Sequence, residues 1–288
     1  MKIPDISVIM RSNNDAGTIG ETLKMLYAQT AQDFELINMD NASIDGTIDI
    51  IKRYNRPGKI FNVEKGRYMP GRVLNEAVAI ARGRIIVFLN SDATPANEKW
   101  LEYLIGGLNK EMKVMAVYGR QIARKNAVLL VRMDYERCYP PAGKDSLLTE
   151  PMFSFASAAM YKKIWEEQRF YEGGLAEDIE WSHRITARGY RYLYVPQSEV
   201  FHSHRYPLKM LFKKTYLEHI PIGALNKGRN NFLIQLKRCV AAIRRDMAAC
   251  LKNADFRALL YSPLYRIIIF MSSYLGMKKG MRVDVNRK

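Results

Sequence analysis

Cysteine is scarce in this chain of 288 residues, and the three that occur, Cys138, Cys239 and Cys250, form no CxxC pair. That spacing argues against a zinc ribbon or a disulfide scaffold, and it is typical of a reducing compartment. The first residues also lack the apolar stretch of a secretory signal peptide. Both features lead us to expect a cytoplasmic protein.

Long hydrophobic runs are nearly absent as well. Residues 258–277 are the one candidate for a transmembrane helix, but they include Pro263, Arg266 and several polar residues. A charge at the centre of a bilayer is costly, so the sequence favours a helix that lies in the plane of a membrane interface. Packing of the same residues onto the rest of the protein is an equally serious alternative.

Acidic residues are sparse in the last third of the chain. Residues 205–288 contain 18 Lys and Arg but only four Asp and Glu, and the whole chain carries a formal net charge of +16. Such a basic segment predicts an anionic partner, which could be a phospholipid surface, a polyprenyl phosphate or a nucleic acid. The alternative is a basic face that is merely solvated.

The first half of the chain shows a regular alternation of strand and helix signals. Apolar runs at residues 6–10, 34–39, 60–63 and 85–89 are typical of buried parallel strands, and a segment with helical periodicity follows each of them. Four such units in succession predict an α/β protein with a doubly wound, mostly parallel sheet flanked by helices. The basic residues 206–288 are expected to form a separate helical region.

Polar residues follow the predicted strands at the points where such sheets bind ligands. Asn14 and Asp15 follow the first strand, Asp40 the second, and Asn90 and Asp92 the fourth. The carboxylate of Asp40 could accept a hydrogen bond from a nucleobase, although a turn-forming aspartate is the alternative. Asp92 is well placed to hold a hard divalent cation, which would neutralise a departing diphosphate.

Two histidines could complete such a cation site. In an extended segment the side chains of His202 and His204 project from the same face, and imidazole suits Mn²⁺ better than Mg²⁺. An isolated HxH pair is nevertheless more often structural than metal-binding.

Glu177 and Asp178 open a predicted helix, and a carboxylate at that position stabilises the helix dipole. The alternative is a functional one, in which a carboxylate acts as a general base and deprotonates a sugar hydroxyl. By sequence pattern alone, the capping role is the stronger interpretation.

Six segments taken in order resemble glycosyltransferase family 2: SVIMRSNN, INMDNASIDGT, GRVLNEAVAIARG, IIVFLNSDATP, GGLAEDIEW and VFHSH. Members of that family are inverting enzymes with the GT-A fold, and the resemblance covers roughly residues 5–205. It implies a Rossmann-like GT-A catalytic domain at 1–205, followed by a basic region at 206–288 that faces a membrane or a partner. It also implies transfer of a sugar from a nucleotide-sugar donor to a saccharide or lipid-linked acceptor in cell-envelope polysaccharide synthesis.

The resemblance implies roles for individual residues. Those expected at the donor site are Asn14, Asp15, Asp40, Arg72, Asn75, Asn90 and Asp92, among which Asp40 would read the nucleotide base. Asp92 is similar to the last acid of the family's Asp-x-Asp metal motif, and Asp178 matches its catalytic base. His202 resembles a late histidine that helps to hold metal or diphosphate, with His204 beside it.

One position departs from the family pattern. Asn90 stands where the first acid of Asp-x-Asp is expected, which removes a charge and predicts weaker or partial dependence on Mn²⁺ or Mg²⁺. The stretch FLNSDATP followed by HSH is similar to rhamnosyltransferase-like members, which favours dTDP-L-rhamnose as donor and leaves UDP and GDP donors open.

Three alternatives remain at the sequence level. A nucleotidyltransferase is disfavoured because RSNNDAG replaces the Gly-rich phosphate loop after the first strand. A nucleic-acid-binding protein would use the basic end, but that end shows no reader motif. A degenerate transferase that binds donor without turnover is compatible with Asn90. We therefore expect an anionic membrane surface as partner, a peripheral position at the inner face of the cytoplasmic membrane and no nucleic acid, with oligomerisation left open.

Overall fold

The computed structural model describes residues 4–54, 59–64, 66, 68–143, 153–225 and 230–282. Within those ranges the strands are β1 (Ile6–Ser12), β2 (Phe34–Asp40), β3 (Lys59–Asn62), β4 (Ile85–Asn90), β5 (Thr94–Pro95), β6 (Val114–Ile122), β7 (Ser157–Tyr161) and β8 (Arg191–Phe201). The helices are α1 (Ile19–Tyr27), α2 (Thr47–Arg53), α3 (Pro70–Ile80), α4 (Trp100–Gly106), α5 (Leu129–Cys138), α6 (Lys162–Glu167), α7 (Glu177–Ala187), α8 (Leu208–Leu225), α9 (Phe232–Lys252) and α10 (Phe256–Gly280).

The strands form one mixed sheet in the order β3-β2-β1-β4-β7-β6-β8-β5. Strands β1 to β4 are parallel to one another, and β6 is parallel to β8. Strand β7 runs antiparallel between β4 and β6, and β5 pairs antiparallel with β8. The prediction of a mostly parallel α/β sheet flanked by helices is confirmed.

Both faces of the sheet are covered, which explains the uninterrupted apolar runs in its central strands. Because side chains alternate along a strand, Ile9 and Phe88 enter one hydrophobic cluster while Val8, Val87 and Leu89 enter the other. All five side chains are at most 1% exposed. Apolar side chains therefore fill both faces of the central strands.

The chain divides into two compact units. We call the first, residues 1–124, 135–173 and 177–203, the sheet unit, and the second, residues 125–134, 174–176 and 204–288, the helical unit. In the helical unit, α8 and α10 approach closely, because Cβ atoms at Gly276 and Gly280 would lie 2.4 Å from Tyr216 O and 1.9 Å from Ile220 O. The prediction of a helical C-terminal region is confirmed.

A buried ion cluster joins α9 and α10. Arg266 is 6% exposed, and its Nε donates to Asp246 Oδ2 at 2.6 Å, while Nη1 donates to Asp134 Oδ2 at 2.9 Å. Within the described ranges, α10 is long and apolar enough to cross a membrane by length and composition, and 33% of its apolar window is buried. The charge of Arg266 on α10 is therefore neutralised inside the helical unit.

Candidate functional site

Parallel register brings the polar segments after β1, β2 and β4 to one edge of the sheet. Ser12 pairs with Asp40 across β1 and β2, and Arg11 pairs with Asn90 across β1 and β4. The chain leaves all three strands at the same level, so the loops that follow lie side by side. The structure thus brings most of the sequence-predicted residues together at the carboxyl ends of the strands.

Asp92, His202 and His204 form a group of potential metal ligands. Their ligand atoms all lie within 4.8 Å of one another, and Asp92 Oδ1 is 3.5 Å from His202 Nε2. Asp92 follows β4, whereas His202 follows β8, whose backbone is paired with β6. His204 is two residues further along the chain. A carboxylate oxygen and two imidazoles at this spacing can hold a divalent cation.

The orientation of the His202 ring is fixed by a neighbouring amide. His202 is 6% exposed, and its Nδ1 lies 2.7 Å from Gln121 Oε1 on β6. A neutral imidazole that donates from Nδ1 to this carbonyl keeps the lone pair of Nε2 on the side of Asp92. Metal-binding histidines characteristically have such a partner on their other ring nitrogen. Nothing in the sequence marks Gln121 for this role.

Arg124 makes hydrogen bonds to both segments that carry these potential metal ligands. Its Nη2 donates to the backbone oxygen of Asp92 at 2.6 Å, and its backbone nitrogen donates to Ser203 Oγ at 3.0 Å. Through its side chain and its backbone together, Arg124 therefore links the loop that carries Asp92 to the segment that carries the histidines. Sequence reasoning missed Arg124 because it follows β6 and belongs to none of the motifs.

Asp15, in the loop after β1, lies close enough to Asp92 for the two carboxylates to repel each other. Its Oδ2 accepts hydrogen bonds from the backbone nitrogen of Asn13 at 2.7 Å and from Ser91 Oγ. Burial raises the pKa of Asp15, the two hydrogen bonds oppose that shift, and repulsion from Asp92 adds to it. Two carboxylates that repel each other at a strand end are a favourable place for a cation.

Asn14 connects the loop after β1 to the loop after β2. Its backbone has a φ of 55°, in the left-handed region that Asn tolerates. Its side-chain oxygen accepts from Ile44 N at 2.9 Å, and its backbone nitrogen donates to Ser43 Oγ at 2.8 Å. Asn14 is exposed, so a ligand above the strand ends can reach it.

Asp40 is completely buried, and its carboxylate is already engaged. It accepts from Ser12 Oγ at 2.7 Å, from Ser43 N at 2.8 Å and from Ser43 Oγ at 2.7 Å. These contacts shape the loop that follows β2. For Asp40 to read a nucleobase, as the resemblance implies, Ser43 would first have to release it.

Asn75, which the resemblance places in a helix that lines the donor site, has its side-chain amide fully engaged by neighbouring residues. Nδ2 donates to Phe170 O at 3.0 Å and Glu172 Oε1 at 2.9 Å, while Oδ1 accepts from Trp165 Nε1 at 2.8 Å and Phe170 N at 3.0 Å. An amide makes four hydrogen bonds at most, so Asn75 has none to offer a ligand. It fixes the segment at residues 170–172.

Arg72 differs from Asn75 in its exposure. Its side chain is 51% exposed and pairs with Glu172, with 3.3 Å between Nε and Oε2. An exposed ion pair contributes little to stability. The guanidinium can therefore exchange this partner for an anionic ligand at small cost.

Asp178 is a partly buried carboxylate at the start of α7. Its Oδ1 accepts from its neighbour's backbone nitrogen, Ile179 N, at 2.8 Å, and its Oδ2 accepts from Phe155 N at 3.4 Å. Burial, and then repulsion from Glu177, raise the pKa of Asp178 to about 7. A carboxylate with that pKa can take up and release a proton near neutrality.

Arg11 joins the start of α7 to the end of β4. Its Nη1 donates to Glu177 Oε1 at 2.8 Å, and its Nη2 donates to Asn90 Oδ1 at 3.2 Å. Although burial alone would lower it, Tyr68 and Glu177 raise the pKa of Arg11, so the guanidinium stays charged. The side-chain carbonyl of Asn90 thus accepts from Arg11, whose charge is paired with the carboxylate of Glu177.

Comparison with known proteins places this arrangement among sugar transferases. Residues 7–170 match the family model described as glycosyl transferase family 2. An O-antigen chain rhamnosyltransferase of Salmonella anatum is 28% identical over 96% of this chain and 90% of its own length. A second O-antigen chain rhamnosyltransferase, from Salmonella typhimurium, is 26% identical over 96% of this chain and 89% of its own length.

Solved structures show the same fold. A mannosyltransferase from Pyrobaculum calidifontis, in complex with GDP-Man and Mn²⁺, superposes with a TM-score of 0.66 at 22% identity, covering 98% of this chain and 88% of that one. A glucosyl-3-phosphoglycerate synthase from Mycobacterium tuberculosis, in complex with Mn²⁺, UDP-Glc and phosphoglyceric acid, gives a TM-score of 0.53 at 18% identity, covering 76% of this chain and 78% of that one. The predicted GT-A architecture is confirmed.

Proposed function

We infer, since the chain belongs to glycosyl transferase family 2, that it transfers a sugar from a nucleoside-diphosphate sugar to a hydroxyl of a saccharide or lipid-linked acceptor. Family membership makes it a glycosyltransferase, and a nucleotidyltransferase or a nucleic-acid-binding protein is not favoured. The main structural support for this transfer reaction is the group of potential metal ligands formed by Asp92, His202 and His204 at the carboxyl ends of the strands.

We propose a donor with a dTDP or UDP moiety and a role in cell-envelope polysaccharide synthesis. Support comes from the two Salmonella relatives, both O-antigen chain rhamnosyltransferases, which match nearly the whole chain. The reaction would take place in the cytoplasm, with the enzyme at the inner face of the membrane. Among these donors dTDP-L-rhamnose is the first to test.

In the proposed mechanism the chain's own residues orient the donor and take up a proton. Asp92, His202 and His204 would hold a divalent cation, Mn²⁺ or Mg²⁺, which when bound neutralises charge on the departing diphosphate. Asp178 accepts the proton of the acceptor hydroxyl. The hydroxyl oxygen bonds to the anomeric carbon from one face while the bond to the diphosphate breaks on the other, and the anomeric configuration inverts.

Incubation with candidate donors tests this function. The purified protein is mixed with dTDP-L-rhamnose, UDP-glucose or GDP-mannose, together with a polyprenyl-diphosphate-linked saccharide and Mn²⁺, and free nucleoside diphosphate is measured. We expect release with one donor, at a rate that rises when acceptor is present. No release above the rate in protein-free buffer, with any donor and with several envelope saccharides as acceptors, would contradict the proposal.

The pH dependence of transfer is expected to follow Asp178. A base must be deprotonated, so kcat/KM should fall as the pH drops below about 7, the pKa of Asp178. Glu177→Gln removes the repulsion from the neighbouring carboxylate and should lower that pKa. The acid limb of the pH–rate profile then moves to lower pH.

Glu180→Gln is the matched control for this experiment, because Glu180 lies on the same helix but pairs with Arg184. Its acid limb should stay where the wild-type limb is. If the Glu177→Gln limb does not move, or moves to higher pH, Asp178 is not the group that titrates in the profile.

A further inference from the structure

Helix α10 carries a continuous apolar stripe that is exposed to solvent. Its members recur every three or four residues, so they lie along one side of the helix. They are Leu260, Leu264, Ile267, Met271 and Leu275, with exposures of 83%, 49%, 47%, 39% and 37%. From first to last the stripe spans about 22 Å at 1.5 Å per residue. An exposed apolar line of this length marks a surface that binds something.

Helix α9 carries a second exposed stripe. Its members are Leu233, Leu236, Val240, Met247 and Leu251, with exposures of 64%, 38%, 41%, 39% and 59%. The spacing again keeps them on one side of the helix. Lys237 and Arg244, both exposed, border this stripe along its length.

The two helices are antiparallel neighbours. Phe232, at the start of α9, packs against Phe270 in the second half of α10, with 5.5 Å between ring centroids. Asp246, in the second half of α9, bonds Arg266 on α10. With about 100° of rotation per residue, each stripe lies roughly a quarter to a third of a turn from the line of contact. The opposite directions of the helices bring both stripes to the same side of the pair.

The other elements of the helical unit pack on the opposite side of α10. Gly276 and Gly280 face α8, and Leu130 clusters with Cys250 and Ala258. The side with both stripes therefore forms one two-helix surface, which we call the striped face.

The charges around the striped face are all positive. Between residues 231 and 282 the only acids are Asp246, which is fully buried against Arg266, and Asp255, which accepts the backbone N–H of Ala258 at the start of α10. The exposed cations of the same segment are Lys237, Arg238, Arg244, Arg245, Lys252, Arg257, Lys278, Lys279 and Arg282. On α10, Arg257 and Lys278 continue the line of the stripe at its two ends.

This combination of charge and apolar surface selects one kind of occupant. A second copy meeting the first through the striped face would bring like charges together with no exposed carboxylate from residues 231–282 to pair them. A nucleic acid would match the charge but leave ten apolar side chains without apolar contact. An anionic bilayer supplies phosphates for the cations and acyl chains for the stripes.

We propose that the striped face docks α9 and α10 flat on an anionic lipid bilayer. The apolar side chains enter the acyl boundary, and Arg257 and Lys278 contact lipid phosphates at its two ends. Arg266 remains paired with Asp246 and Asp134 on the buried side, so α10 lies along the interface. This surface needs no donor, cation or acceptor, and its test is independent of the transfer reaction.

Flotation of the full-length protein with vesicles tests the proposal. The vesicles contain phosphatidylglycerol mixed with phosphatidylcholine, or phosphatidylcholine alone, without nucleotide or metal. We expect binding to the anionic vesicles that weakens with salt, and at least about tenfold weaker binding to the neutral ones. Equal binding to both, or binding to neither, would overturn the proposal.

Two double variants locate the surface. Leu264→Ser with Ile267→Ser removes apolar contact and should weaken vesicle binding at least about tenfold. Lys278→Glu with Lys279→Glu should weaken it at least about tenfold and flatten its salt dependence. The substituted side chains are all exposed, and an unchanged melting temperature confirms that each variant folds.

Matched controls change similar residues on the sheet unit. Leu193→Ser with Met112→Ser replaces two exposed apolar side chains, and Lys24→Glu with Lys52→Glu reverses two exposed cations. Equal losses in controls and test variants would show that the striped face is not the docking surface. Light scattering adds a second readout: a wild-type dimer that Leu264→Ser with Ile267→Ser converts to a monomer with unchanged vesicle binding would assign the face to contact between copies.

Discussion

Asp178→Asn is expected to lower kcat by about 10² to 10⁴, the range attributed to a positioned general base. The amide keeps the size of the carboxylate and can still accept from Ile179 N, but it cannot take a proton from the acceptor hydroxyl. Binding of nucleoside diphosphate should be nearly unchanged, because donor contacts are expected from other residues. The loss should therefore appear in the rate of transfer rather than in donor affinity.

The stability of this variant provides an internal check on folding. Burial raises the pKa of Asp178 in the folded protein to about 7, whereas an unfolded aspartate has a pKa of about 3.9. The folded state then binds the proton more tightly, so the wild type loses stability as the pH rises between those two values. Asp178→Asn lacks this loss, and its melting temperature relative to wild type should rise from pH 5 to pH 8.

Asp49→Asn is the matched control, since Asp49 is an exposed aspartate in the first turn of α2. It should keep both wild-type turnover and the wild-type pH dependence of melting. A general base contributes at least about a hundredfold to the rate. If Asp178→Asn retains more than about a tenth of wild-type kcat, another group must therefore act as the base.

Asp92→Asn is expected to reduce transfer at least about 100-fold, since a cation bound there contributes several kcal/mol of charge stabilisation. Removing one of three ligands lowers the affinity for the cation but does not abolish its site, because Gln121 still orients His202. Raising the Mn²⁺ concentration should therefore recover part of the activity. The same excess of Mn²⁺ should have no effect on Asp49→Asn.

The first strands of the sheet could be predicted from the sequence, because burial of a strand on both faces leaves a pattern in the residues of that strand itself. Strands β1, β2 and β4 are buried on both faces, which demands uninterrupted apolar runs. The antiparallel insertion of β7 between β4 and β6 left no such mark. Strand direction depends on how the intervening chain returns, and residues 110–204 have no regular alternation that would show it.

The sequence indicated which residues lie at the candidate site, but it did not reveal the hydrogen bonds that these residues make. Asp40 and Asn75 were predicted to touch a donor, yet their partners Ser43 and Glu172 already occupy them. Glu172 is 97 residues from Asn75 in the chain, and no local pattern reveals such a pairing. Sequence position shows where a polar side chain stands, whereas saturation of its hydrogen bonds depends on distant segments.

Contacts between distant segments also determine the role of Arg11, which the sequence did not reveal. Arg11 was visible as the residue that follows an apolar run, but its role depends on strand register, which pairs it with Asn90. The loss of an acid at position 90 could be read from the sequence. The contact between Arg11 and Glu177, which brings the start of α7 to this strand end, joins residues 166 positions apart.

Melting temperatures can show whether Asp92, His202 and His204 bind the cation. They are measured for the wild type and Asp92→Asn with dTDP, UDP or GDP, each in the presence of Mn²⁺ or EDTA. A ligand that binds the folded state raises this temperature. If Asp92 and the two histidines hold the cation that binds the diphosphate, one nucleotide should stabilise the wild type with Mn²⁺ but much less with EDTA. The shift with Mn²⁺ should largely disappear in Asp92→Asn. A shift that is equal with Mn²⁺ and EDTA, or equal in both proteins, would show that these three residues do not hold the cation.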